Sequence, residues 1–318
     1  MNAVTALLPF DPSTLLTWVV SYLVHSTLLM ALALLVARYD VRLEESLWRL
    51  ALLGTVGTAT LQSLTGAALW RLPSSGAASP LPQTGSPPAP GATPIAAPAS
   101  AALSAAELLV ILWLAIATVL TVRWIGARLR LHRELASRVA CDDPVLLAEI
   151  DQLADAAGLG ARPRLTVSEV VPGPIAFGWR EPEICLPPRL DERLAPAERR
   201  AVMAHEIAHL RRRDSVWLGL VQLAGSLLFF QPLFGIARRR LAQLAELACD
   251  RWSAAVSGSG LPLARGLTEV ARWRLAGTDG YPVPGLAVRR SGLARRVDAL
   301  LGKPTAPSLP RWLRHTLT

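Results

Sequence analysis

The five residues His205-Glu206-Ile207-Ala208-His209 combine types that can bind and use a metal ion. Apolar neighbours and a preceding proline predict that they lie on an α-helix, where residues four apart share one face. Two imidazoles so placed can hold one Zn²⁺, and Glu206 can take the proton of an attacking water. A five-residue pattern also arises by chance, and the alternative is a histidine pair on a structural helix.

A second candidate pair, Glu246 and Asp250, lies on a later helix predicted over Leu233–Val256. A catalytic zinc site needs a third protein ligand, and an acid on this mostly apolar stretch can supply it. Asp250 is one turn further along the same face, where it can accept the N–H of a ligand histidine. We therefore predict one Zn²⁺ per chain, held by His205, His209 and Glu246. The alternative for Glu246 is an ordinary surface acid paired with one of the nearby arginines, which are Arg238, Arg239, Arg240 and Arg251.

Two helices and three strands are predicted around the His205–His209 motif, and they would hold it in place. Pro196 opens the helix that carries the motif, which is predicted to continue from Ala197 to Arg213. Another amphipathic helix is predicted over Pro144–Ala157, ending near Gly158. Apolar and β-branched runs between turn residues predict three strands, at Leu165–Val171, Ile175–Phe177 and Glu183–Leu186.

The last of these strands is a candidate substrate-binding element. If Glu183, Ile184, Cys185 and Leu186 form an edge of the sheet, an extended peptide could pair with their backbone. A purely structural strand is an equal alternative.

The composition is too apolar for an ordinary soluble enzyme of 318 residues, with 52% hydrophobic and 18% charged residues. Three stretches are long enough to span a bilayer, at about 15–37, 47–69 and 103–125. The first lacks a basic n-region and a cleavage site, so we expect it to be retained. The net charge is +9, all but one of the 33 basic residues are arginines, and several of these arginines cluster beside apolar stretches. Because no nucleic-acid-binding module is recognisable, we expect a lipid bilayer and no direct nucleic-acid partner.

Positive charge also predicts the orientation of the spans. Arg38, Arg42 and Arg49 lie between the first two spans, whereas no Lys or Arg precedes the first. The positive-inside rule then places the N-terminus outside and the chain after Ile125 in the cytoplasm. The Pro- and Ala-rich segment between the second and third spans is predicted to be a disordered outer loop.

A further apolar run, Val216–Ala237, is long enough to be a fourth span. If it crossed the membrane, Glu246 and His209 would lie on opposite sides and could not share a metal ion. Gln231-Pro232 resolves the conflict, because proline ends or kinks a helix. We therefore predict a helical hairpin that turns at these two residues without crossing.

The wider sequence around these motifs resembles one family. The segments AHEIAHLRRRD, FFQPLF and ELACDRW, together with the upstream PGPIAFGWREPEICLPPRL, are similar to the BlaR/MecR-type membrane zinc metallopeptidases, which are gluzincins. The resemblance implies an α-helical transmembrane protein with a cytoplasmic α+β zincin-like protease domain in the bacterial inner membrane. It also implies the same ligand set, with Glu206 as general base and Asp250 supporting a ligand histidine.

The resemblance implies a role in signal transduction as well. Known members cut themselves and bring about cleavage of a small DNA-binding repressor of the BlaI/MecI type, so a protein or peptide substrate is expected. The sequence does not decide whether the chain forms a homodimer. Only 62 residues follow Val256, without an apolar run of spanning length, so we expect no C-terminal penicillin-binding sensor domain. The domain organisation predicted on this basis is two spans in 1–73, the outer loop at 74–102, a third span at 103–125, the protease domain at 126–256 with a membrane-associated hairpin at 214–256, and a basic cytoplasmic tail at 257–318.

Two other classes of protein fit the same residues. One is a different membrane gluzincin, such as a quality-control or prenyl-protein protease. The other is a non-catalytic, zinc-stabilised membrane scaffold, which would not need Glu206.

Overall fold

A computed structural model describes residues 12–36, 41–65, 104–188, 190–276 and 286–302. The predicted outer loop therefore lies outside the described residues. The helices in the described part are α1 (Pro12–Val36), α2 (Val41–Thr65), α3 (Ala105–Glu134), α4 (Pro144–Ala157), α5 (Leu190–Arg193), α6 (Pro196–Arg212), α7 (Asp214–Leu227), α8 (Phe234–Val256), α9 (Leu261–Ala276) and α10 (Leu286–Leu300). The strands are β1 (Val139–Ala140), β2 (Arg164–Val167), β3 (Ile175–Phe177) and β4 (Glu183–Leu186).

Two helices in the described ranges are long and apolar enough to cross a membrane. They are Thr14–Val36 within α1 and the helical stretch Ala105–Ser137, which includes α3. The predicted second span falls on α2, which begins six residues earlier than predicted and is less apolar. α2 packs along α1 in a shared apolar cluster, with two polar contacts as well: Trp18 Nε1 donates to Thr60 Oγ1 at 3.2 Å, and His25 Nδ1 lies 3.2 Å from Thr58 Oγ1.

α7 and α8 form a helical hairpin against these helices. α7 runs antiparallel to α3, since Arg128 donates to Ser215 O near one end and Trp113 donates to Leu227 O near the other. The turn between α7 and α8 is fixed to α1 by the buried Gln231, whose amide donates to Ser26 Oγ at 2.5 Å and Thr27 Oγ1 at 3.2 Å. Glu246 thereby returns to the end of the hairpin at which α7 begins.

The sheet has the strand order β1-β2-β4-β3. β4 pairs in parallel with β2 and antiparallel with β3, and all four of its residues are buried. The prediction that Glu183, Ile184, Cys185 and Leu186 form an edge open to substrate is therefore wrong, because both sides of β4 are already hydrogen-bonded. The edge strand on this side of the sheet is β3.

Local sequence explains where the strands end. Gly178 makes the turn after β3 at φ 97°, and a Cβ there would lie 2.0 Å from the carbonyl oxygen of Glu181, so only glycine fits. β2 ends at Val167, not at Val171 as predicted, because Ser168 Oγ accepts the N–H of Val170 and turns the chain.

The core of the globular part surrounds α6. Buried residues of α4, the sheet and α9 pack against the apolar positions of α6, which include the fully buried Met203 and Ile207. Leu263 of α9 belongs to this core, and Leu300 at the end of α10 packs against it. The predicted domain boundary at Val256 is thus too early, since the folded unit continues through α9 and α10.

Candidate metal centre

α6 brings the two histidines of the motif together on one face. Pro196 occupies its first turn, and Glu198 accepts the N–H of Ala195 at 3.3 Å, which satisfies a donor that the helix start leaves free. His205 is buried and His209 half-buried. Their Nε2 atoms lie 3.1 Å apart, so both nitrogens face the same point.

Glu246 of α8 completes the group. Its Oε2 lies 3.6 Å from His205 Nε2, and its Oε1 lies 3.7 Å from His209 Nε2. Ligand atoms held at 2.0–2.1 Å around a tetrahedral Zn²⁺ are about 3.3 Å from one another. The two Nε2 atoms are separated by nearly that distance, and each has an oxygen of Glu246 within 3.7 Å, Oε2 for His205 and Oε1 for His209, so the three residues offer a ligand set that suits zinc.

Asp250 lies behind His205, as the helical spacing predicts. Its Oδ1 is 3.0 Å from His205 Nδ1, although the N–H direction is too bent for a good hydrogen bond, so the contact is mainly one of charge. Burial alone would favour the neutral imidazole, but the carboxylates of Asp250 and Glu246 raise the pKa of His205 to about 9.

Asp214 lies behind His209 in the same way, and sequence reasoning missed it. Its Oδ2 is 2.9 Å from His209 Nδ1 and only 5% of its side chain is exposed. On a continuous helix a residue five positions after His209 would point about 140° away from it. The helix instead stops at Arg212, and Arg213 adopts a left-handed φ of 56°, which turns Asp214 back towards the histidine.

The buried thiol of Cys249 also lies beside His209, at 3.4 Å from Nδ1. Cys249, Asp214 and His209 form a second group of potential metal-binding atoms. Burial and the neighbouring charge of Asp214 raise the pKa of Cys249 far above its usual range, so its sulfur stays protonated and donates weakly to Asp214. Because Asp214 and Cys249 both lie against Nδ1 of His209, on the side of the ring away from His205 and Glu246, we interpret these two residues as partners that hold the His209 ring in place.

Arg296 of α10 is the second residue that sequence reasoning missed. Its guanidinium contacts Glu246 Oε2 at 2.6 Å and both oxygens of Asp250, at 2.7 and 2.8 Å. It also lies 3.3 Å from His205 Nε2. One oxygen of Glu246 is thus held by Arg296 while the other faces His209. The sequence places this arginine in the basic tail and does not show where that part of the chain docks.

Two of the four arginines considered as partners of Glu246 bind other residues. Arg240 binds the buried Glu44 of α2, and Arg238 binds Gln222. Glu246 is instead paired with Arg296 and lies beside the two histidines, which together hold its pKa well below the usual range in spite of burial.

Glu206 lies between the two candidate ligands His205 and His209 in the sequence, it is half-buried, and its charge acts on both His205 and Arg296. The strand residue Glu183, in contrast, is part of the structure of the sheet. It is buried against Arg138 and accepts from Thr166 Oγ1 at 2.8 Å.

Comparison with known proteins supports a peptidase family. The family model described as BlaR1 peptidase M56 matches residues 73–257. A protease HtpX homologue of Acidiphilium cryptum is 32% identical over 167 residues, covering 41% of this chain and 58% of the relative. Protease HtpX homologue 1 of Streptomyces coelicolor is 29% identical over 164 residues, covering 40% and 53%. The chain thus spans little more than half the length of these curated relatives. Among solved structures, S. mikatae Ste24p aligns with a TM-score of 0.37 and 17% identity, over 61% of this chain and 56% of that one.

Proposed function

The chain belongs to the BlaR1 peptidase M56 family, and from that premise we propose that it is an integral-membrane zinc-dependent endopeptidase with a gluzincin-type site. The observation that carries the proposal is the convergence of His205 Nε2 and His209 Nε2, 3.1 Å apart, with an oxygen of Glu246 within 3.7 Å of each, on the helix that also carries Glu206. Zinc bound by these three residues would supply Lewis-acid polarisation of a scissile carbonyl and an acidified water.

The remaining steps of peptide hydrolysis are assigned to this chain's own side chains. Glu206 accepts the proton of the attacking water and passes it to the leaving nitrogen. Asp250 and Asp214 fix the orientation of the two imidazoles through their Nδ1 atoms. Arg296 holds one oxygen of Glu246 so that the other stays directed towards His209.

An extended substrate would bind along β3. Within the described residues this strand pairs only with β4, and it packs on α6, the helix that carries the histidines. Strand addition at such an edge satisfies the substrate backbone and leaves alternate side chains to determine specificity.

We further propose that the site faces the cytoplasm, since the arginine distribution favours that side. The substrate would be a cytoplasmic repressor of the BlaI/MecI type or the chain itself. The second candidate function is that of a different membrane gluzincin, such as a quality-control or prenyl-protein protease. The similarity to the two protease HtpX homologues favours it.

The test is proteolysis in cells that express the full chain or Glu206→Gln, together with a co-expressed repressor of this type. A control variant is Glu134→Gln, which removes one exposed acid at the end of α3. We expect the wild type and the control to cleave the repressor or themselves and Glu206→Gln to lose cleavage by at least about 100-fold. Equal cleavage by Glu206→Gln and the wild type would contradict the peptidase assignment. If the wild type cleaves neither the repressor nor itself, but turns over membrane proteins faster than Glu206→Gln does, the second candidate is favoured.

A further inference from the structure

The carboxylate of Asp214 connects His209 to the rest of the molecule. It lies 2.9 Å from His209 Nδ1, and the same oxygen accepts from Arg212 Nε at 3.2 Å. An imidazole whose Nδ1–H is donated to a carboxylate presents the lone pair of Nε2 to a metal ion. Asp214 is therefore placed to favour the tautomer of His209 whose Nε2 is free for a metal ion.

Arg212 in turn reaches α2. Its Nη2 lies 2.5 Å from Glu45 Oε1, a contact between residues 167 positions apart in the sequence. Arg49, one turn along α2, binds the same oxygen of Glu45. Side-chain exposures of 18% for Glu45 and 23% for Arg212 place this pair largely out of solvent. An unbroken set of charged contacts thus runs from α2 through Arg212 and Asp214 to a candidate zinc ligand.

The neighbouring residue of α2 makes an equivalent contact with the other ligand-bearing helix. Glu44, whose side chain is fully buried, binds Arg240 of α8 through both oxygens and accepts from Trp48 Nε1 at 3.3 Å. The first turn of α2 is therefore bound both to the end of α6, which carries the histidines, and to α8, which carries Glu246. This explains why two acids stand together at the start of an apolar helix.

We propose that Asp214 is a positioning residue for His209, and that Glu45 acts on it through Arg212, so that the placement of α2 sets the zinc affinity of the site. This inference rests on the proposed zinc site. Its consequence is that a shift of α2 relative to α6 would change metal binding without any change in the ligands themselves.

The experiment measures zinc affinity of the detergent-purified full chain by competition with a chromogenic chelator. The variants are Asp214→Asn, Arg212→Gln, Glu45→Gln and the double variant Glu45→Gln/Arg212→Gln. Arg211→Gln is the matched control, because Arg211 is an exposed arginine next to Arg212. Absorption of the cobalt-loaded proteins reports ligand geometry, which a loss of stability alone would not change.

We expect Asp214→Asn to weaken zinc binding by about 10- to 100-fold, the range seen when the hydrogen-bond partner of a ligand histidine is altered. Glu45→Gln should weaken it by about 2- to 5-fold, as for a partly exposed ion pair. The double variant should bind zinc within about twofold of Arg212→Gln, because residues that act through one another are not additive. Cobalt spectra of Asp214→Asn and Glu45→Gln should shift, while Arg211→Gln should match wild type.

Zinc affinities of Asp214→Asn and Glu45→Gln equal to wild type would overturn this inference and leave the proposed function standing. If the double variant loses zinc affinity by the product of the two single losses, Glu45 and Arg212 act independently, which would overturn the claim that Glu45 acts through Arg212. A wild-type chain that binds no zinc would overturn both proposals. If Asp214→Asn does not fold, the Glu45 and Arg212 variants decide the question alone.

Discussion

Replacing Arg296 with Gln should destabilise the protein, because it removes the partner of two carboxylates at once. Arg296 makes three contacts of 2.6–2.8 Å with Glu246 and Asp250, and only 17% of its side chain is exposed. Breaking a fully buried charge pair costs about 3–5 kcal/mol. Asp250 is almost fully buried whereas Glu246 is 39% exposed, so we expect a smaller loss of roughly 2–3 kcal/mol.

Thermal unfolding in detergent measures this loss. For a folded unit of this size, roughly 2–3 kcal/mol corresponds to a decrease in Tm of about 4–12 °C. Arg296→Lys should recover only part of it, because a single ammonium cannot bind both oxygens of Asp250 in the way a planar guanidinium does. Arg265→Gln, which removes an exposed arginine from α9, is the control and should leave Tm nearly unchanged. An Arg296→Gln variant as stable as the wild type would refute the reasoning, as would full recovery by lysine.

Three further predictions follow from other parts of the structure. Although burial opposes it, the pairing of Glu183 with Arg138 and Thr166 lowers the pKa of this carboxyl below its unfolded value. Its stabilising effect is therefore present above about pH 4.5 and lost as the pH falls through the folded pKa, so unfolding free energies measured from pH 6 to 3 should fall less steeply for Glu183→Gln. Gly178→Ala should cost more than about 1 kcal/mol in denaturant unfolding, because its Cβ would lie 2.0 Å from a backbone oxygen at φ 97°; a neutral effect would mean that the turn rearranges. Gln231→Leu should lower Tm by several degrees, since it removes the hydrogen bonds to Ser26 and Thr27 that fix the hairpin turn to α1, and an unchanged Tm would contradict that role.

Short-range patterns predicted the elements that carry the site. The helix Pro144–Ala157 has the bounds given by Asp143 at its start and Gly158 at its end, because capping and left-handed termination depend on a few adjacent residues. Spacing of four residues along a helix was also sufficient to place His205 with His209, and Glu246 with Asp250, on common faces. The hairpin followed from one proline and from the requirement that Glu246 and His209 meet.

The same short-range sequence patterns could not predict contacts between elements that are distant in the sequence. The order of the strands decides whether β4 is an edge, and no local pattern of β4 shows that β2 and β3 occupy both of its sides. Arg296 reaches the site because α10 docks on α8, and no local pattern of the basic tail shows that contact. Asp214 depends on one left-handed residue, Arg213, which has none of the usual glycine signal for a helix end.

The measurement that tests the central claim most directly is the zinc content of the purified full chain, compared with that of Glu246→Gln and of His205→Ala. Three converging ligands should hold about one zinc per chain in the wild type, and either substitution should release most of it at a chelator concentration that the wild type withstands. A wild-type chain without zinc, or a Glu246→Gln chain that retains zinc as firmly as the wild type, would contradict the assignment of this site.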